Sequence, residues 1–160
     1  MGYYVTSGRC KFTIKSENLP RAYELLCELN AHDELKRGGV CGPGRWRAEK
    51  PADSKSVAKN PNVWFSWMHW NYDVICKSAV EILEEVGFTV TKDEQGSIVF
   101  LSYDSKTGCE QEFMSALAPV VEDGSFIEWQ GEEDDDFYRY LFKDGKMHVQ
   151  QPSITWPEVE

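Results

Sequence analysis

Long apolar runs, familiar phosphate or nucleophile motifs, and positive charge are all scarce in this chain of 160 residues. No stretch of about 18 apolar residues occurs, so no membrane-spanning helix is expected. The opening MGYYVTSGRCKF lacks the apolar segment of a secretory signal, and a cytoplasmic setting is expected. Thr6 fits the M-G-x-x-x-[ST] pattern, but that pattern is short, and Gly2 reads as the lead into a strand. Neither G-x-x-x-x-G-K-[ST] nor G-x-G-x-x-G is present, so the usual phosphate cradles are not expected. The G-x-S-x-G elbow of a serine hydrolase is missing as well.

Cysteine and histidine are few and scattered. Five cysteines stand at positions 10, 27, 41, 76 and 109, an odd count with wide spacing, which suits reduced thiols. No C-x-x-C pair exists, and His32, His69 and His148 lie far apart, so no structural zinc site and no cofactor are expected. Cys41-Gly-Pro-Gly places Gly44 where a dithiol redox motif needs its second cysteine. Lys and Arg number 17 against 27 Asp and Glu, a net charge of −10. Phosphate binding draws its affinity from cations, so direct nucleic-acid binding is not expected, and a partner with a basic surface is.

What is present reads as one α+β domain over residues 1–160, rich in rings, with 13% aromatics. The alternation Cys10, Phe12, Ile14 predicts a strand over Arg9 to Lys15. Asn18 and Pro20 open a helix that runs to Asn30 on the stripe Ala22, Leu25, Leu26, Leu29. Residues 38–62 form a long irregular loop with a basic island of Arg45, Arg47, Lys50, Lys55 and Lys59. A second helix is expected from about Val74 to Val86, closed by Gly87. A hairpin follows, from Phe88 to Tyr103, whose second strand is apolar on both faces and therefore central. Asp104 to Gly108 reads as a turn, and Cys109 to Val121 as a third helix limited by Pro119. A meander over Ser125 to Val149 completes the pattern, its second turn being Lys143-Asp144-Gly145-Lys146. Ile154 and Trp156 in the tail suggest an edge strand, since Pro152 and Pro157 forbid a central one. The fold expected is a largely antiparallel sheet with about three helices packed on one face.

Two stretches carry candidate sites. The first is the acidic run Glu132, Glu133, Asp134, Asp135 and Asp136, with Tyr138 beside it. Five carboxylates at a hairpin tip suit a cationic surface on a protein partner, with Tyr138 adding a ring contact. No EF-hand spacing is present, so a metal is not expected there. The second is VWFSWMHWNY, where Trp64, Trp67 and Trp70 recur every three residues. Rings of this size are core plugs or the walls of a pocket for a planar ligand. In the pocket reading, Arg45 or Arg47 meets an anionic group on a nucleotide-like molecule. His69 reads as a packed or hydrogen-bonded ring. Cys109, at a helix start, is where a thiol pKa can fall.

From Tyr103 onward the chain resembles the C-terminal part of small proteins encoded by phages and mobile elements. The features shared are D-G-S-x-I-E-W-x-G-E at 123–132 and Y-R-Y-x-F-x-D-G-K at 138–146. The resemblance implies a mobile-element setting and a cytosolic α+β protein; accessory proteins of phages often act by stoichiometric binding, which favours inhibition or sequestration of a host or defence macromolecule, and no catalytic residue is carried over from it.

Overall fold

The computed structural model describes residues 2–40 and 47–159. The elements are β1 (Tyr4–Lys11), α1 (Leu19–Leu29), β2 (Gly38–Gly39), β3 (Val63–Trp64), α2 (Tyr72–Ile75), α3 (Ala79–Val86), β4 (Thr89–Lys92), β5 (Ile98–Ser102), β6 (Asp104–Lys106), α4 (Glu110–Leu117), β7 (Phe126–Gly131), β8 (Phe137–Lys143) and β9 (Lys146–Gln150). Five strands pair antiparallel in the order β6-β1-β7-β8-β9. The protein is α+β, as its pattern of elements predicts.

Alternation explains which residues each strand buries. In β7, Ile127 and Trp129 are buried while Phe126, Glu128 and Gln130 point the other way. In β8 the inward set is Tyr138, Tyr140 and Phe142. Registers Ile127↔Tyr140 and Trp129↔Tyr138 place these rings side by side on one face. Trp129 meets Tyr140 at 5.3 Å and Tyr103 at 5.5 Å between ring centres. α1 packs against α3 and α4 on this face, and the buried apolar side chains form one cluster. A second ring group in that cluster joins Phe65, Tyr72 and Phe113, with Phe65–Phe113 at 5.1 Å. The meander's last turn needs left-handed backbone at both central residues. Asp144 and Gly145 supply it, with φ of 54° and 73°.

Several boundaries differ from expectation for physical reasons. β1 begins five residues earlier, at Tyr4 rather than Arg9, and its register shifts between Ser7 and Cys10. That bulge lets one strand pair with β7 along its whole length; Phe12 and Ile14 then leave it, still fully buried. Asp104 to Lys106 is a strand rather than a turn, because its amides find Tyr4 to Thr6 as partners. The second helix is two, broken at Cys76, with Ser78 recapping it by accepting from the Glu81 amide at 3.1 Å. α4 stops at Leu117 and Pro119 sits in a single tighter turn, Ala118–Val120. β5 is not a strand of the five-stranded sheet: it pairs with β4 in a separate two-stranded sheet, and its other edge carries a single bridge from Ile98 to Ile14, beyond the end of β1. The tail, residues 151–159, is exposed and forms no edge strand; Pro152 has no N–H to extend β9.

Candidate functional site

The acidic run is the link between β7 and β8, and it is built rather than loose. The Gly131 amide donates to the Asp136 carbonyl at 2.8 Å, and the Asp136 amide to the Glu133 carbonyl at 3.1 Å. Tyr3 clamps the loop from the neighbouring strand. Its hydroxyl donates to Asp136 Oδ2 at 2.7 Å and accepts from the Glu133 amide at 3.2 Å. Asp136 is therefore spent on the fold. Glu132, Glu133, Asp134 and Asp135 are exposed, and among the described residues no Lys, Arg or His lies within ion-pair distance of them.

Tyr138 does not stand beside these carboxylates as a free ring. It faces the helix side, stacked on Trp129 with planes 10° apart. Burial pushes its hydroxyl up to about 12, and nearby carboxylates of Glu110 and Asp136 add to the shift. The exposed ring next to the loop is Phe137, on the opposite face of the sheet. Tyr3 and Phe137 escaped the sequence reading. Strand alternation through FYRYLFK was the available signal for Phe137, whereas Tyr3 meets the loop only through long-range pairing.

The tryptophans do not form one box. Phe65, Met68 and Tyr72 enter the core in their place. Trp64 lies half-buried against Gly38, where a Cβ would come within 2.7 Å of its Cδ1. Trp67 is exposed, its Nε1 donating to the Glu85 carbonyl at 3.2 Å. Trp70 is half-buried, and its carbonyl accepts from Asn30 Nδ2 at 2.9 Å. Trp67 lines a cleft of about 390 Å3 with Arg37, Lys106 and Gly108, and neither other tryptophan reaches it. Arg47 is exposed; Arg45 lies outside the described residues, as does Cys41. His69 is also exposed, with Nδ1 2.8 Å from Glu85 Oε1.

The described part of the long loop is stitched down by two carboxylates. Asp73 Oδ1 accepts from Asn30 Nδ2 at 2.8 Å and Ser56 Oγ at 2.7 Å, and Oδ2 accepts from the Val57 amide at 2.9 Å. Asp33 accepts from the Asn60 amide at 3.1 Å and pairs at 2.6 Å with Lys36, whose ammonium is wholly buried. That ammonium also donates to the Asn30 carbonyl at 2.8 Å and sits 5.6 Å above the Phe65 ring. These groups are consumed in holding the structure, which fits the rule that buried charges are paired.

Cys109 does not gain reactivity from its helix start. It is buried beside Met68, and desolvation pushes its thiol up to about 12. Cys76 is raised to about 11 for the same reason. Among the described residues, no group of three His, Cys, Asp or Glu side chains is arranged to hold a metal, and no helix is long and apolar enough to cross a membrane.

No protein-family model matches the chain, and no curated protein or solved structure matches it either.

Proposed function

We propose that the chain is a non-enzymatic binding protein that docks the tip of its β7–β8 hairpin on a cationic surface of another macromolecule. The observation that supports this is the Tyr3 clamp, which orders the loop while leaving four adjacent exposed carboxylates without an ion-pair partner among the described residues. A pre-ordered loop loses little conformational entropy on binding. Four like charges close together raise the encounter rate with a basic patch and lose that advantage in salt. Inhibition would follow by occlusion, with the hairpin covering a basic surface that a host or defence protein needs for its own substrate.

The test uses a fluorescent oligo-arginine peptide as the cationic probe, with binding read by anisotropy at low and high salt. Glu132→Gln, Glu133→Gln, Asp134→Asn and Asp135→Asn together should cost about tenfold or more in affinity. A charge-matched control, Glu24→Gln, Glu28→Gln, Glu81→Gln and Glu84→Gln, should cost about twofold or less. Equal losses in both variants would mean that overall charge, not the hairpin tip, does the binding.

A further inference from the structure

The helices pack on one face of the five-stranded sheet; among the described residues no helix packs on the other, where the tail residues Gln151, Pro152 and Ser153 border a cleft of about 410 Å3 with Glu128, Phe137 and Arg139. Strand registers give the composition of that open face. Its cations are Arg9, Lys11, Lys106, Arg139, Lys143 and Lys146, and its acids are Asp104 and Glu128. A chain of net charge −10 thus turns a cationic surface to solvent here. Only Arg9 is neutralised, by Glu128; the other five cations have no carboxylate within ion-pair distance among the described residues.

Rings stand among these charges. Tyr4 and Phe137 are 46% and 43% exposed, and Phe126 is half-buried with the Arg139 guanidinium 5.7 Å above its ring. Phe126 pairs across strands with Leu141, and Phe137 lies four residues before Leu141 on the same strand. The two phenyl groups therefore stand about 13 Å apart along the sheet, with Arg139 between them. Rings that accept stacked bases, set among cations that track a phosphate backbone, are the elements of single-strand recognition. A duplex hides its base faces and offers such rings nothing to stack on.

We propose that this open face is a binding surface for single-stranded nucleic acid, with Phe137 and the Arg139 guanidinium plane, held over Phe126 and by Gln150 Oε1, as base platforms and Lys11, Lys143 and Lys146 as phosphate contacts. The proposal stands apart from the hairpin-tip reading, because the two use different residues. It also assigns a direction. The carboxylates of 132–135 adjoin Phe137 and repel phosphate, so a strand is held chiefly from the Lys143–Lys146 end.

The probe is fluorescein-labelled oligothymidylate of about 20 nucleotides, long enough for one site and without secondary structure. Anisotropy on the full chain should show saturable binding that weakens as salt rises. The pair Lys143→Glu and Lys146→Glu should lose about tenfold or more in affinity. Phe126→Ala with Phe137→Ala should lose about fivefold or more while leaving the salt slope unchanged, since stacking releases no counterions. Lys143 and Lys146 are exposed and Phe126 is half-buried, so a cooperative urea transition and a parent-like far-UV circular dichroism spectrum confirm that both variants fold. The neutralised hairpin tip should bind the oligonucleotide as well as the parent or better, although it loses the arginine peptide. No binding at low salt would overturn the proposal. So would equal affinity for a duplex or for polyglutamate, with no loss in the ring variant, since that pattern describes an unspecific polyanion surface or a site for an acidic protein.

Discussion

The two faces of the central sheet are built from alternate residues of the same strands, yet they differ in almost every property. On one, Trp129 touches Phe88, Tyr103, Tyr138 and Tyr140, and all but Tyr138 of these are buried. On the other, Phe126, Arg139 and Leu141 stand half in water among lysines. Shifting the register by one residue would exchange the two sets. The inner face shows why the sheet holds together. The outer face shows that a chain's net charge does not describe its surfaces, because acids gathered on the helices and the hairpin tip leave a cationic area elsewhere. The low count of Lys and Arg argues against binding phosphate over the whole surface and says nothing about one face.

The sharpest way to break this contrast is to make the same kind of change on each side. Trp129→Ala should destabilise by about 3–5 kcal/mol, the usual cost of emptying an aromatic site in a packed core. Phe137→Ala should stay within about 0.5 kcal/mol of the parent. Urea unfolding followed by far-UV circular dichroism measures both, and similar shifts would contradict the assignment of faces. Trp129→Phe should be much milder than Trp129→Ala, because the indole Nε1 is buried with no partner among the described residues and its removal relieves an unmet donor.

The second contrast is in reactivity. With its thiol raised to about 12, Cys109 is almost wholly protonated at neutral pH. It should react with iodoacetamide about a thousandfold more slowly in the folded chain than in urea. Peptide mapping after timed labelling reads this directly. Rapid labelling of Cys109 in the folded state would show that the interior behind the sheet is wetter than the structure describes.

Much of the fold was legible because it is written in local periodicity. The meander, the stripe of α1 and the Asp-Gly turn each depend on residues within one element. What escaped depends on partners distant in sequence. β6 looks like a turn because Asp104-Ser105-Lys106 is polar, and it becomes a strand only because Tyr4 to Thr6 lies alongside. The break between α2 and α3 was within reach, since Ser78 precedes Glu81 by the spacing of a capping pair, but the apolar stripe runs through it. The site was less legible than the fold. The acidic run was plain, whereas the inward turn of Asp136 needs Tyr3, which lies 133 residues away. The aromatic run misleads because three tryptophans suggest one box. Residues 65–71 run through turns, with Ser66 at φ 46°, and this irregular path sends Phe65, Met68 and Tyr72 into the core and leaves the tryptophans on the rim.

A smaller effect separates the hairpin tip from the face beneath it. Tyr3→Phe deletes the hydroxyl that bridges Asp136 and the Glu133 amide, and should cost about 1 kcal/mol, the ordinary value of a part-exposed hydrogen bond. Amide hydrogen exchange should quicken at 131–136 and stay unchanged in β8 and β9. Faster exchange throughout the meander would mean that the loop and the sheet open together.

The smallest effect belongs to the ion pair between Arg9 and Glu128 on the open face. The Arg9 guanidinium beside Glu128 holds that carboxyl below its ordinary value, through a hydrogen bond first and charge second. A carboxylate with a depressed pKa in the folded state stabilises fully above its unfolded value, about 4.3, and loses that contribution as pH falls through the folded value. The pair is well exposed on the arginine side, with 80% of that side chain accessible, so solvent screening keeps its contribution small. The urea midpoint of Arg9→Ala should therefore sit slightly below the parent's at pH 7 and converge with it as pH drops below about 4. A gap that persists in acid would show that the arginine stem contributes by packing on the sheet instead of by charge.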